Sequence, residues 1–202
     1  LTNKKLVANP PRSFKDLAEG SYKVNVGDVT VASQAQMAIL ATTMALGGSE
    51  KDVKPALEFY KKLAQEGRLD LGDNSLSRIA VALLWDYNAL GYRDMIKANN
   101  PDADFEVHVP AEASIQSGYC TILNSYSKRP YAAALAREYI LSDKGQINLA
   151  KGYAKPIRNV TLPSDLAAKM IPNEEYANAH GIADRPSWSK TCETLGTDWQ
   201  ED

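Results

Sequence analysis

Two clusters in this chain have the residue types to hold a small molecule: Ser33-Gln34 and Trp85-Asp86-Tyr87-Asn88. The second follows an unbroken apolar run, Val81-Ala82-Leu83-Leu84. Such a run reads as a buried parallel strand that delivers polar groups to its carboxyl end, the edge where open α/β sheets bind ligands. Asp86 is suited to an ammonium group, and Trp85 or Tyr87 to stacking on a cation or a ring. The same residues also suit an aromatic core with Asp86 capping the helix expected over Ala89 to Asn99. Ser33-Gln34-Ala35-Gln36 has the spacing of a capping box ahead of an Ala/Met/Leu-rich helix. Its amides favour phosphate, phosphonate or carboxylate, and a plain helix cap is the competing reading.

Other chemistries find less support. The two histidines, His108 and His180, have no companions at metal-ligand spacing and read as surface residues, so no metal and no cofactor is expected. An α/β enzyme using Asp86 with Tyr87 or Cys120 as acid, base or nucleophile is the alternative reading. The sequence has no nucleophile elbow, no Ser/His/Asp order, no P-loop and no Gly-rich dinucleotide turn to support it. With 202 residues, 44% hydrophobic, 24% charged and a net charge of -2, the composition is that of an ordinary globular protein. Lys and Arg are scattered among acids, which argues against a nucleic-acid partner. No stretch reaches the roughly 18 apolar residues of a membrane span. Cys120 and Cys192 permit one disulfide without implying it. The opening Leu1-Thr2-Asn3-Lys4-Lys5 reads as the start of a mature or truncated product.

The elements that would position these residues alternate between strand and helix. Asn9-Pro10-Pro11-Arg12 is extended, and Ser13 caps a short helix from Phe14 to Ala18. Lys23 to Gly27 alternates as a strand does, and Val29 to Ala32 is a second extended piece. Ser49 to Asp52 opens a helix whose apolar residues Val53, Ala56, Leu57, Tyr60 and Leu63 follow the helical period until Gly67. Asp73-Asn74-Ser75 caps a short helix to Ala80, and Phe105 to Val109 alternates as a strand. From Gly118 the pattern restarts: an apolar strand over Tyr119 to Leu123, then Pro130 opening a helix with the stripe Ala132, Leu135, Ala136, Tyr139 and Ile140. Ser142 caps a further helix to Gly152, and short helices separated by Pro163, Pro172 and Pro186 follow.

The segment from Tyr131, YAAALAREYILSDKGQINLAKGYAKPIRN, resembles the extracellular solute-binding proteins of ABC importers, in which a helix leads to LS-x-x-GQ, a second helix and a Gly-aromatic-x-x-Pro turn. NPPRSFKDLAEG resembles the family's opening of the second lobe, VASQAQ its helix start, and VPAEASIQSGY its turn between lobes, with Ala113 where Gly is usual. The resemblance implies an α/β type II periplasmic-binding fold, a mixed sheet flanked by helices. Residues 1–113 would form an interlobe crossing and the main lobe, 114–155 a returning segment of the other lobe, and 156–202 C-terminal helices packing back on the main lobe. It adds Glu112 and Ser114, in the crossing, to Ser33, Gln34, Trp85, Asp86, Tyr87 and Asn88 as ligand contacts. It implies capture of a small polar or charged solute (phosphonate, sugar phosphate, polyamine or similar) for ABC permease subunits, in the periplasm or outside the cell. The branch includes iron and thiamine binders, but no Tyr-Tyr pair occurs, which disfavours ferric iron. Nothing corresponds to a first lobe, so a fragment is expected, with the Ala132-Ile140 stripe exposed, mobile or covered by a second copy in a dimer.

Overall fold

The computed structural model describes residues 1–71 and 78–201, in two compact units: Leu1–Ser117 with Ile171–Asp202, and Gly118–Met170. The first is built on a mixed sheet of five short strands, β1 (Thr2–Asn3), β2 (Val24–Asn25), β3 (Leu69–Asp70), β4 (Val81–Ala82) and β5 (Phe105–Glu106). Their order is β3-β2-β4-β1-β5; β2 runs parallel to β3 and β4, and β1 antiparallel to β4 and β5. Val24 of β2, Val81 of β4 and Val26 just beyond β2 are buried in the core.

The helices of this unit are α1 (Phe14–Glu19), α2 (Ser33–Ala45), α3 (Lys54–Gln65), α4 (Asp86–Asn99) and α8 (Arg185–Glu201). In α1, Ser13 accepts the Asp16 N–H at 2.9 Å, the expected cap. α2 is apolar on nearly all sides, and its two core threonines return their hydroxyls to the Ala38 and Ile39 carbonyls at 2.8 Å. α3 is amphipathic: Ala56, Leu57, Tyr60 and Leu63 are buried, while Lys54 and Glu58 pair on the exposed face. The Tyr60 hydroxyl meets Thr42 at 2.7 Å, and its ring packs on Trp199 of α8. Gly67, at φ +67°, ends α3 in a conformation other residues resist. The adjacent buried Arg68 donates to the carbonyls of Leu17, Ala18 and Tyr22, holding the end of α1 to the approach to β2.

Four local expectations change. Val29 to Val31 is a turn, not an extended piece, because Asp28 accepts from both the Thr30 N–H and the Thr30 hydroxyl. That turn moves the α2 cap to Ala32, and no side-chain cap forms; Gln36 donates instead to the Val29 carbonyl, so the capping box is not made. α3 begins at Lys54 rather than Ser49, with Pro55 in its first turn, where a missing N–H is harmless. The strand expected through Leu84 ends at Ala82, and Asp86, Tyr87 and Asn88 form the first turn of α4. Most of the helix expected from Asp73-Asn74-Ser75 to Ala80 lies outside the described residues, and its described end, Arg78 to Ala80, is not helical.

The second unit holds α5 (Pro130–Leu141), α6 (Asp143–Ala150) and α7 (Ser164–Ala167). Ser142 accepts the Gly145 N–H at 3.1 Å, as expected of a cap. A Cβ at Gly145 would collide with the Tyr139 carbonyl and stand 2.7 Å from that of Ile140, so only glycine lets α6 leave α5 this sharply. Buried Gln146 then clamps the unit: its amide donates to the Ile140 carbonyl at 2.8 Å and accepts from the Ile157 N–H at 2.9 Å. These contacts give the LS-x-x-GQ motif its physical meaning. Tyr119 to Leu123 forms no strand, and among the described residues none pairs with it; Tyr119 and Ile122 are each 85% exposed.

Candidate functional site

Because β2 and β4 are parallel, their carboxyl ends open to one edge of the sheet, and each leads into a helix there. β2 continues through Gly27 and the Asp28 turn into α2; β4 continues through Leu83 to Trp85 into α4. Gln34 ties the two exits together. Its amide donates to the Val26 carbonyl at 3.3 Å and to the Leu83 carbonyl at 2.5 Å. Neither α2, capped by Ala32, nor α4, capped by Trp85, has a side-chain cap. The α2 start presents its first-turn amides and the positive end of the helix dipole, whereas at α4 the Asp86 carboxylate takes the Tyr87 N–H.

Ser33 is exposed at this edge, whereas Trp85, Asp86, Tyr87 and Asn88 are half-buried, with Trp85 packed against the core. Asp86 accepts from the Tyr87 N–H at 2.8 Å and, on its other oxygen, from the Tyr176 hydroxyl at 2.6 Å. Tyr176 arrives on a single 3-10 turn, Asn173–Tyr176. Burial, and then the facing Asp86 carboxylate, push its hydroxyl above the usual tyrosine range, so it remains a donor. Tyr176 is the residue that sequence reasoning missed, and its Pro-bounded setting carries no periodic signal. The edge thus combines one open helix start, that of α2, which attracts an anionic group, with one oriented carboxylate and aromatic faces, which attract a cationic one.

Glu112 and Ser114 are placed differently. The Glu112 carboxylate accepts from the Phe14 and Lys15 N–H groups at 3.0 and 3.3 Å, at the start of α1. Ser114 lies in β6 (Ser114–Ile115), parallel to β7 (Ala179–His180) and packed against α2, with its N–H donating to the Asn178 carbonyl at 3.2 Å. His180 is exposed as expected, but His108 is not a surface residue: its side chain is 9% exposed, held between Arg12 and Glu106. Among the described residues no cluster of three or more His, Cys, Asp or Glu is placed to hold a metal ion.

The sequence profile of the bacterial extracellular solute-binding proteins matches residues 1–181. A crystal structure of an ABC transporter from Clostridium perfringens aligns with a TM-score of 0.69 at 15% identity, a likeness of fold. The alignment covers 98% of this chain and 65% of that one, so the chain spans less than two thirds of the structure it matches. No curated protein matches the sequence. The mixed sheet flanked by helices and the profile match over most of the chain agree, and the chain belongs to the bacterial extracellular solute-binding protein family.

Proposed function

We propose that the protein captures a small polar or charged solute, a phosphonate, sugar phosphate, polyamine or similar, and presents it to ABC permease subunits in the periplasm or outside the cell. In this reading the edge formed by Ser33, Gln34, Trp85, Asp86, Tyr87 and Asn88 is one wall of the binding site, and a second lobe supplies the other. Glu112 and Ser114 act at one remove, by holding the start of α1 and the flank of α2. The observation that carries the reading is the Gln34 amide bridging the exits of β2 and β4, which brings the starts of α2 and α4 to one edge. Binding is non-catalytic, as the family implies: the solute shifts an open-to-closed equilibrium by its differential affinity for the closed form. Asp86 orients the solute rather than serving as an acid or base.

Native mass spectrometry of the freshly purified protein, followed by calorimetry with a polyamine, a sugar phosphate and a phosphonate, tests this. Saturable binding of one class, weakened by Trp85→Ala and Tyr87→Ala, supports the site. Binding that neither substitution alters refutes it.

A further inference from the structure

Arg12 lies in the Pro-rich stretch that enters α1, and His108 in the stretch that leaves β5. The Arg12 guanidinium donates to His108 Nδ1 at 2.7 Å and, through its second nitrogen, to Glu106 Oε1 at 3.1 Å. His108 Nε2 stands 2.7 Å from the same Glu106 oxygen. Lys4 approaches the other Glu106 oxygen at 3.5 Å, with Asp104 beyond it, and Glu175 adds a negative charge to the field at the ring. The two stretches are joined again where the Ala111 N–H donates to the Arg12 carbonyl at 2.9 Å, and Asn178 donates to the Ala111 carbonyl. A cavity of about 30 Å3, room for one water, borders Arg12, Ser13, His108 and Pro110.

An acceptor at Nδ1 requires the neutral ring with its proton on Nε2. A second proton would turn Nδ1 into a donor facing a guanidinium donor and set two cations in contact. We propose that His108 is a proton-operated catch: neutral, it ties the stretch entering α1 to the stretch leaving β5 through Arg12, and protonated, it releases Arg12 and loosens residues 107–112. Burial of the ring, and then the Arg12 charge, outweigh Glu106 and Glu175 and hold the imidazole below its ordinary 6.5. A depressed histidine contributes stability that is complete above the unfolded value of about 6.5 and declines as pH falls below it. Each pH unit between the ordinary 6.5 and the lowered folded value favours the released form by up to about tenfold. Against the raising effect of burial, the charges of His108, Arg12 and Lys4 hold the Glu106 carboxyl below its usual range, which keeps its titration out of this window.

With two histidines in the chain, proton NMR follows each imidazole separately. Titration of the intact protein is paired with amide hydrogen exchange at residues 9–13 and 107–112. We expect His108 to titrate below 6.5, exchange in both stretches to rise with the same midpoint, and His108→Gln, which keeps an acceptor for Arg12, to abolish that rise. Arg12→Met, which removes the facing cation, moves the His108 midpoint upward and serves if the glutamine variant does not fold. A His108 midpoint at or above 6.5, exchange that ignores the titration, or a midpoint unmoved by Arg12→Met overturns the proposal.

Discussion

Replacing Gln34 by Met keeps the length of the side chain and removes only the amide that joins the two strand exits. The Val26 carbonyl, in a residue with no exposed surface, and the Leu83 carbonyl then each lose a donor. A net hydrogen bond contributes about 1 kcal/mol, and an acceptor left buried without a partner costs about 1–3 kcal/mol. The loss should therefore be about 2–3 kcal/mol, against about 1 kcal/mol for Gln36→Met, whose amide donates to one carbonyl, that of Val29 at 3.1 Å, and otherwise accepts only weakly from the Cys192 thiol at 4.0 Å. Urea denaturation of the two variants measures the difference, provided the m-values stay equal. The mechanism predicts a second signature: Gln34→Met weakens solute binding because the helix starts lose their alignment, whereas Gln36→Met does not. If both variants fall within about 0.5 kcal/mol of each other and of the parent, as surface substitutions do, the bridge does not hold the edge together.

Three further outcomes follow from contacts elsewhere. Tyr176→Phe removes the donor to Asp86 and should cost about 1.5–3 kcal/mol in denaturation, the range for a bond to a charged group, with a shift in solute affinity if Asp86 contacts the solute. Gly145→Ala forces a Cβ against two backbone carbonyls and should speed amide exchange around residues 139–157 while leaving β2 and β4 protected. Hydrogen bonds from its own N–H and from Ala183 and Asp184 hold the Glu50 carboxyl below its usual range against the opposing effect of burial. A depressed carboxyl contributes stability above its unfolded value of 4.5 that is lost as pH falls through the folded one. Glu50→Gln should therefore lower stability at neutral pH and flatten the acid limb of the stability curve below about 4.5.

What the sequence made legible was local. Ser13 and Ser142 cap the helices their spacing indicates, and Gly67 stops α3, because each of these signals acts within one turn of backbone. Where a distant group intervened, local reading failed. Val81 to Leu84 reads as the strand and Trp85 to Asn88 as the corner before the helix, but the Leu83 carbonyl is taken by Gln34 from another element, the strand ends at Ala82, and α4 already begins at Asp86. His108 looked like a surface residue because nothing within its own segment shows that Arg12 closes over it from 96 positions away. Tyr176 was invisible for the same reason: its partner, Asp86, is 90 positions distant.

The α5 stripe makes the distinction sharpest. Ala132, Leu135, Ala136 and Ile140 recur at helical spacing, and that spacing states a demand for burial as clearly as the one in α3 does. In α3 the demand is met, and Leu63 is 1% exposed. In α5 no residue is buried, and Leu135 is 71% exposed. Periodicity is a property of one helix, whereas burial is a property of a helix and whatever lies against it. The same pattern therefore identifies α5 as a helix with an apolar face while carrying no information about what meets that face. The candidate site obeys the same rule: residue types mark Ser33 and Asp86, but only the parallel pairing of β2 with β4 puts the two helix starts on a common edge.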